Sequence, residues 1–165
     1  MSSQNDAQGA PAPLSHEQDE DDEIVTWWGL VIEGYHATHN GLMDEIADRT
    51  GLAPNSFDIL IRLLRSPECR LPMTRLAKEA ALSSGGFTKV ADRLVAAGLI
   101  RREPCDTDRR VTYAALTDRG LVTAKEARKV CAQSLRTRLL DPLGHERALM
   151  LAEVMRTLRA VNRTD

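Results

Sequence analysis

The side chains best suited to hold another molecule are cations and small polar groups between Arg75 and Arg110. Ser83, Ser84, Gly85, Gly86, Thr88, Lys89 and Arg93 follow one another closely, and Asp108, Arg109 and Arg110 form a second cluster. Guanidinium and ammonium groups attract phosphate, hydroxyls hydrogen-bond to it, and glycines let a backbone come close to a surface. The chemistry implied is nucleic-acid binding. No Gly-rich phosphate loop, Ser-His-Asp order, metal motif or pair of catalytic carboxylates emerges, so no catalytic residue, metal or cofactor is assigned and an enzyme is not expected.

These residues must be carried by a helix, a polar turn, a second helix and a hairpin, all between Leu71 and Gly120. Pro72 suits a first helical turn, since its missing N–H has no helical partner there, and Leu76, Ala77 and Ala80 mark the buried side of a helix that runs to Ala81. Ser83 stands where a side-chain oxygen caps the next helix, which runs to about Ala97. Phe87, Val90, Ala91 and Leu94 recur at steps of three and four and form one inward stripe. Ser84, Gly85, Thr88, Lys89, Asp92 and Arg93 are left on the other faces. Gly98 is the expected left-handed terminator, with Leu99 the apolar residue after it.

Gly85 and Gly86 each cost helix stability, up to about 1 kcal/mol relative to alanine. Relief of crowding between the two helices is one account. Close approach of a helix N-terminus to phosphate is the other. Beyond Gly98, Leu99–Glu103 and Arg110–Leu116 have the content of a strand pair, and Pro104 stops the first strand from continuing with a full ladder. At the tip, arginine can enter a minor groove, and Asp108 can hold a neighbouring guanidinium. A turn of this kind is equally an ordinary solvated one when taken alone.

The order and spacing of these parts resemble the MarR family of bacterial winged helix-turn-helix regulators. Leu76-Ala77, Arg93-Leu94, Gly98-Leu99-Ile100, Asp108-Arg109-Arg110, Leu116-Thr117 and Gly120 carry the likeness, which covers nearly all of Glu23 to Asn162. The fold class implied is mainly α with a small β-hairpin wing: a winged helix-turn-helix lobe at about 55–116 flanked by N- and C-terminal dimerisation helices at about 23–50 and 117–162. The resemblance implies a sequence-specific transcriptional regulator, a repressor released by a small-molecule effector, that binds a palindromic operator in double-stranded DNA as a homodimer. Ser83 to Arg93 would then lie in the major groove and Arg110 in the minor groove. Lys89 stands where the family often has arginine; a phosphate contact survives that change, but bidentate reading of guanine does not. A winged-helix module that binds protein, without specific DNA binding, is the alternative from another class.

The formal net charge of −2 looks wrong for a DNA binder until it is divided along the chain. Residues 1–70 hold 4 basic and 13 acidic groups, whereas residues 71–120 hold 9 and 6, and residues 121–165 hold 9 and 5. Positive charge therefore collects where the DNA-binding motif lies. Residues 1–22 read as a disordered acidic tail, too poor in apolar groups to offset ordering.

A long helix is expected over Glu23–Arg49, with Ile24, Trp27 or Trp28, Val31, Tyr35, Leu42 and Ile46 as its stripe. A second begins at Asn55 or Ser56. Thr117 should cap a further helix that reaches Leu139 and breaks at Asp141-Pro142, and a last helix from about His145 presents Ala148, Leu151, Met155, Leu158 and Val161. This much apolar helical surface beside a small lobe calls for a partner, and a second copy is the economical one.

The resemblance implies an effector crevice beside the dimerisation helices, for which Trp27, Trp28, Tyr35, His36, His39, Asp58 and Arg62 are the candidates. Adjacent tryptophans point about one hundred degrees apart on a helix, so at most one should face the dimer core squarely. His36 and His39 lack a third metal ligand at a compelling spacing. Cys105 is the redox alternative: it sits in the wing near Arg101, Arg102, Arg109 and Arg110, which would favour its thiolate. Cys69, Cys105 and Cys131 are odd in number and lack metal-ligand spacing, and no apolar run spans a membrane. A cytoplasmic protein is expected.

Overall fold

The computed structural model describes residues 16–80, 82–105, 107–108 and 110–162. Contacts divide the chain into two units, 1–37 and 38–165.

Helix α1 (His16–Thr50) belongs to both units. It begins at His16 and not near Glu23, so positions 16–22 of the expected tail are helical. Their acidic composition suits a helix start, since carboxylates near a helix N-terminus interact favourably with its dipole. Within the first unit Ile24, Val25, Trp27, Trp28, Leu30 and Tyr35 are exposed.

In the second unit, the end of α1 contributes buried Leu42, Met43 and Ile46 to the core. Helix α2 (Pro54–Leu64) adds Phe57, Ile59, Leu60 and Leu63, and starts with Pro54 in its first turn, where the absent N–H costs nothing. Strand β1 (Arg70–Pro72) leads directly into α3 (Met73–Glu79), which buries Leu76. Helix α4 (Ser84–Ala96) lays Phe87, Val90, Ala91 and Leu94 on the core. Strands β2 (Ile100–Pro104) and β3 (Thr112–Leu116) complete a three-stranded antiparallel sheet in the order β1-β3-β2.

Two sequence expectations change here. The hairpin has a third strand, with Arg70, Leu71 and Pro72 opposite Ala115, Ala114 and Tyr113. Pro72 therefore ends a strand instead of sitting inside a helical turn. It is tolerated because β1 is an edge. Pro104 likewise closes β2 opposite Thr112 on the other edge, as the sequence leads one to expect.

The joint between α4, β3 and α5 (Asp118–Leu135) is unusually tight. Gly98, at φ 66°, ends α4. Its N–H donates to the Val95 carbonyl and the Leu99 N–H to Leu94, both at 2.9 Å, which is the two-bond helix stop that requires a left-handed residue. Thr117 then ties the parts together. Its hydroxyl donates to the Gly98 carbonyl at 2.6 Å and accepts from the Gly120 N–H at 2.9 Å. Gly120 packs against the Leu99 backbone so closely that a Cβ there would overlap the carbonyl oxygen.

The C-terminal helices differ from expectation at Pro142. The chain does not break there; residues Arg136–Leu140 form a π turn that runs straight into α6 (Asp141–Val161). The Asp141 N–H donates to the Arg136 carbonyl, five residues back. A proline clashes with the carbonyl four residues before it, and widening the turn accommodates that ring. The interruption falls at Gly144 instead (φ 73°, ψ 167°), so the regular helical run does resume at His145. Beyond buried Ala148, α6 leaves Leu149, Met150, Leu151, Val154, Met155 and Leu158 exposed.

Candidate nucleic-acid interface

Helix α4 presents two chemically distinct sides. The buried stripe fixes its roll, which leaves Gly85, Thr88, Lys89, Asp92 and Arg93 exposed. Ser83 caps it as expected, accepting the Gly86 N–H at 3.2 Å. A Cβ on Gly85 would meet nothing within 4 Å, so crowding inside the protein does not explain that glycine. At Gly86 the added carbon would lie 3.0 Å from Ser83 Oγ, so this glycine clears room for the cap. Arg109 and the Ser84 side chain lie outside the described residues.

The wing turn is built by Asp108. Its carboxylate accepts the Arg110 backbone N–H at 2.9 Å, while its carbonyl accepts from Val111, and Cys105 donates its N–H to the Val111 carbonyl. The expected contact of Asp108 with a neighbouring guanidinium falls on Arg109, which lies outside the described residues. A short carboxylate hydrogen-bonding the backbone two residues on favours such a turn, and it leaves the Arg110 side chain exposed.

Other arginines are already engaged. Arg75 Nε lies 2.7 Å from Glu79, which also faces Arg62 at 3.8 Å. Arg101 pairs with Glu103 and donates to the Leu116 carbonyl. Arg102 reaches across from β2 to Asp92 on α4 at 2.6 Å, a strut between wing and helix. Among the described residues, Lys89, Arg93 and Arg110 carry no such ion pair. Exposed pairs contribute about 0–1 kcal/mol, so Arg75 can exchange its partner for a phosphate.

Sequence reasoning missed the Asp92–Arg102 strut, because the two lie ten positions apart on different elements. It also missed a cleft of about 390 Å³ between α3 and α4, where Thr74 and Lys78 share walls with Thr88 and Phe87. A lysine one helix away from the recognition face leaves no periodic signal.

The MarR family model matches residues 44–111. That span runs from the core end of α1 through both helices of the motif to the wing turn. Over that span the chain is similar to the MarR family. It is similar to the HTH-type transcriptional regulator MhqR of Bacillus subtilis (strain 168), 30% identical over 92 residues, or 56% of this chain and 62% of that protein. The chain thus matches less than two thirds of that relative's length. Among solved structures it is similar to Sco3205, a MarR-family transcriptional regulator of Streptomyces coelicolor in complex with DNA, at 27% identity and a TM-score of 0.76 over 94% of each chain. AbsC, another MarR-family transcriptional regulator of that organism, gives 26% and 0.72, covering 92% of this chain and 95% of AbsC.

The expected effector residues are divided between the two units. Trp27, Trp28, Tyr35 and His36 belong to the first unit, and His39, Asp58 and Arg62 to the second. Trp27 and Trp28 are 55% and 56% exposed, so the expected difference between them is not present within a single chain. Tyr35 and His36 meet edge to face at 5.4 Å. Asp58 is paired with Arg62 at 2.7 Å, and through Arg62 and Glu79 it links α2 to α3. That pair is engaged in holding helices together. Among the described residues no three His, Cys, Asp or Glu side chains group as a metal site, and no helix is long and apolar enough to cross a membrane.

Cys105 has its thiol acidity increased. The Thr107 hydroxyl, 3.3 Å away, is the main cause, followed by the backbone N–H groups of Thr107 and Asp108. Arg101 and Arg102 are committed to carboxylates. Cys131 moves the opposite way, because burial disfavours its thiolate.

Proposed function

We propose that this chain is a transcriptional repressor that binds a two-fold operator in double-stranded DNA as a homodimer and is released by a small-molecule effector. The observation that carries the reading is that, among the described residues, Lys89 and Arg93 on α4 and Arg110 at the wing turn are exposed cations without ion pairs, whereas Arg75, Arg101 and Arg102 are paired with carboxylates. In this reading Ser83, Ser84, Gly85, Gly86, Thr88, Lys89 and Arg93 contact the major groove, Arg75 a phosphate, and Asp108, Arg109 and Arg110 form the minor-groove wing. The lobe at about 55–116 docks on DNA. Residues of about 23–50 and 117–162 supply the dimer contacts, which would cover the exposed apolar groups of α1 and α6. Sco3205 is bound to DNA, and its likeness over nearly the whole chain supports extending that partner here. The exposed Trp27 and Trp28 offer stacking area for an aromatic effector.

The test is binding to duplex DNA from upstream of the chain's own gene, measured across a salt series. Affinity should fall steeply as salt rises, since each phosphate contact releases counterions. Absence of salt-dependent binding to any duplex would sink the proposal. In sedimentation the protein should run at twice its chain mass of 18.3 kDa.

Gly85 offers a sharper check, because its two possible roles predict opposite results. Open space around it means that Gly85→Ala should hold or raise the melting temperature, with a gain of up to about 1 kcal/mol from helix propensity. The same methyl should weaken DNA binding if the backbone lies against the duplex. Unchanged affinity would remove the close-approach role.

A further inference from the structure

One polar cluster has no part in the core or the DNA face. It lies where the end of α1 meets the π turn. Arg138 Nε donates to Ser134 Oγ at 3.1 Å, and its guanidinium sits 3.7 Å from Glu45 on α1. Glu45 also receives Arg49 at 3.4 Å and is held below the usual carboxylate range, chiefly by the Ser134 hydroxyl and then by the two arginines. Arg49 reaches back to Gln133 at 3.0 Å. Ser134 is only 3% exposed, so its hydroxyl is committed to this arrangement.

The guanidinium rests on a helix face stripped of its side chain. A Cβ on Gly41 would lie 2.8 Å from Arg138 Cζ. A glycine inside a long helix costs about 1 kcal/mol, and here it admits the arginine. The π turn matters to the same end: the extra residue per turn that accommodates Pro142 also sets where Arg138 projects from the chain. Beyond it the chain continues into α6, the helix whose apolar groups are exposed.

We infer that Arg138, seated on Gly41 and bonded to Ser134 and Glu45, is a positioning residue that fixes the direction in which α6 leaves the DNA-binding lobe, and thereby the half-site spacing that the dimer accepts. This rests on the dimeric operator reading above. Two lobes held by α6 can be no better aligned than the joint that carries it, and this joint is one hydrogen bond to Ser134 and one ion pair to Glu45, made by a guanidinium lying on a bare backbone. Arginine suits the task because its planar donors are preorganised.

The test uses the full chain and a random duplex library, selected in parallel by wild type, Arg138→Met and Gly41→Ala. Half-site spacing in the enriched DNA is read, with sedimentation and melting measured alongside. Both variants should stay dimeric, shift or broaden the enriched spacing, and bind the wild-type-preferred spacing roughly two- to thirtyfold more weakly. Gly41→Ala keeps the arginine and only displaces it, so it decides the matter if Arg138→Met fails to fold. Unchanged spacing with Gly41→Ala overturns the inference. If the wild type itself enriches no paired half-sites, the dimeric operator reading fails first and this inference with it.

Discussion

Gly120→Ala is expected to cost about 3 kcal/mol or more and to lower the melting temperature by roughly 6 °C or more. The reason is what the new methyl meets. It would overlap the Leu99 carbonyl, a backbone atom that no side-chain rotation can move aside. Leu99 is held from both sides: its N–H is the last bond of the α4 stop, and its carbonyl accepts from the Thr117 N–H at 3.1 Å. Relief therefore requires α5 to shift away from the sheet, which opens buried Ala124 and Ala127. Against a total stability of about 5–15 kcal/mol, that loss leaves a marginal protein. Thermal unfolding of purified variant and wild type checks it, and a melting temperature within 2 °C of wild type, a margin taken from the roughly 2–4 °C expected per kcal/mol, would refute the packing argument.

Arg110→Ala should weaken operator binding by about 1–3 kcal/mol per lobe, near tenfold to a hundredfold, and reduce the salt slope by about one per lobe. Folding should be untouched. The bond that builds the wing turn comes from the Arg110 backbone N–H to Asp108, and alanine keeps that N–H. The lost affinity would thus report the side chain alone. Melting and binding measured on the same preparation separate the two effects, and unchanged affinity would remove the wing from the mechanism. Lys89→Ala and Arg93→Ala serve as partners in the experiment, since their positions on α4 predict the same loss of slope without loss of stability.

Both predictions use features that local chemistry makes legible. The roll of α4 could be read from Phe87, Val90, Ala91 and Leu94, because helical periodicity needs no partner to be visible. The caps at Ser83 and Thr117 and the stop at Gly98 followed from side-chain oxygens and a positive φ, which are properties of a few consecutive residues. The acidic run was harder to place. The same carboxylates favour a solvated tail or the start of a helix, and from His16 onward the chain is helical.

Other features join residues distant in the chain and arise when the elements pack together. Strand β1 is three residues long and exists because β3 lies beside it. Asp108 also builds the wing turn, by accepting the Arg110 N–H. The ion pair of Asp58 and Arg62 is extended by Glu79 on α3, a partner from another helix. Composition and periodicity carried the identity of each helix, since those depend on neighbours three or four positions away. The availability of each charge depended on which carboxylate the fold brought within 4 Å, and Lys89, Arg93 and Arg110 are among the cations of the motif that it left without one among the described residues.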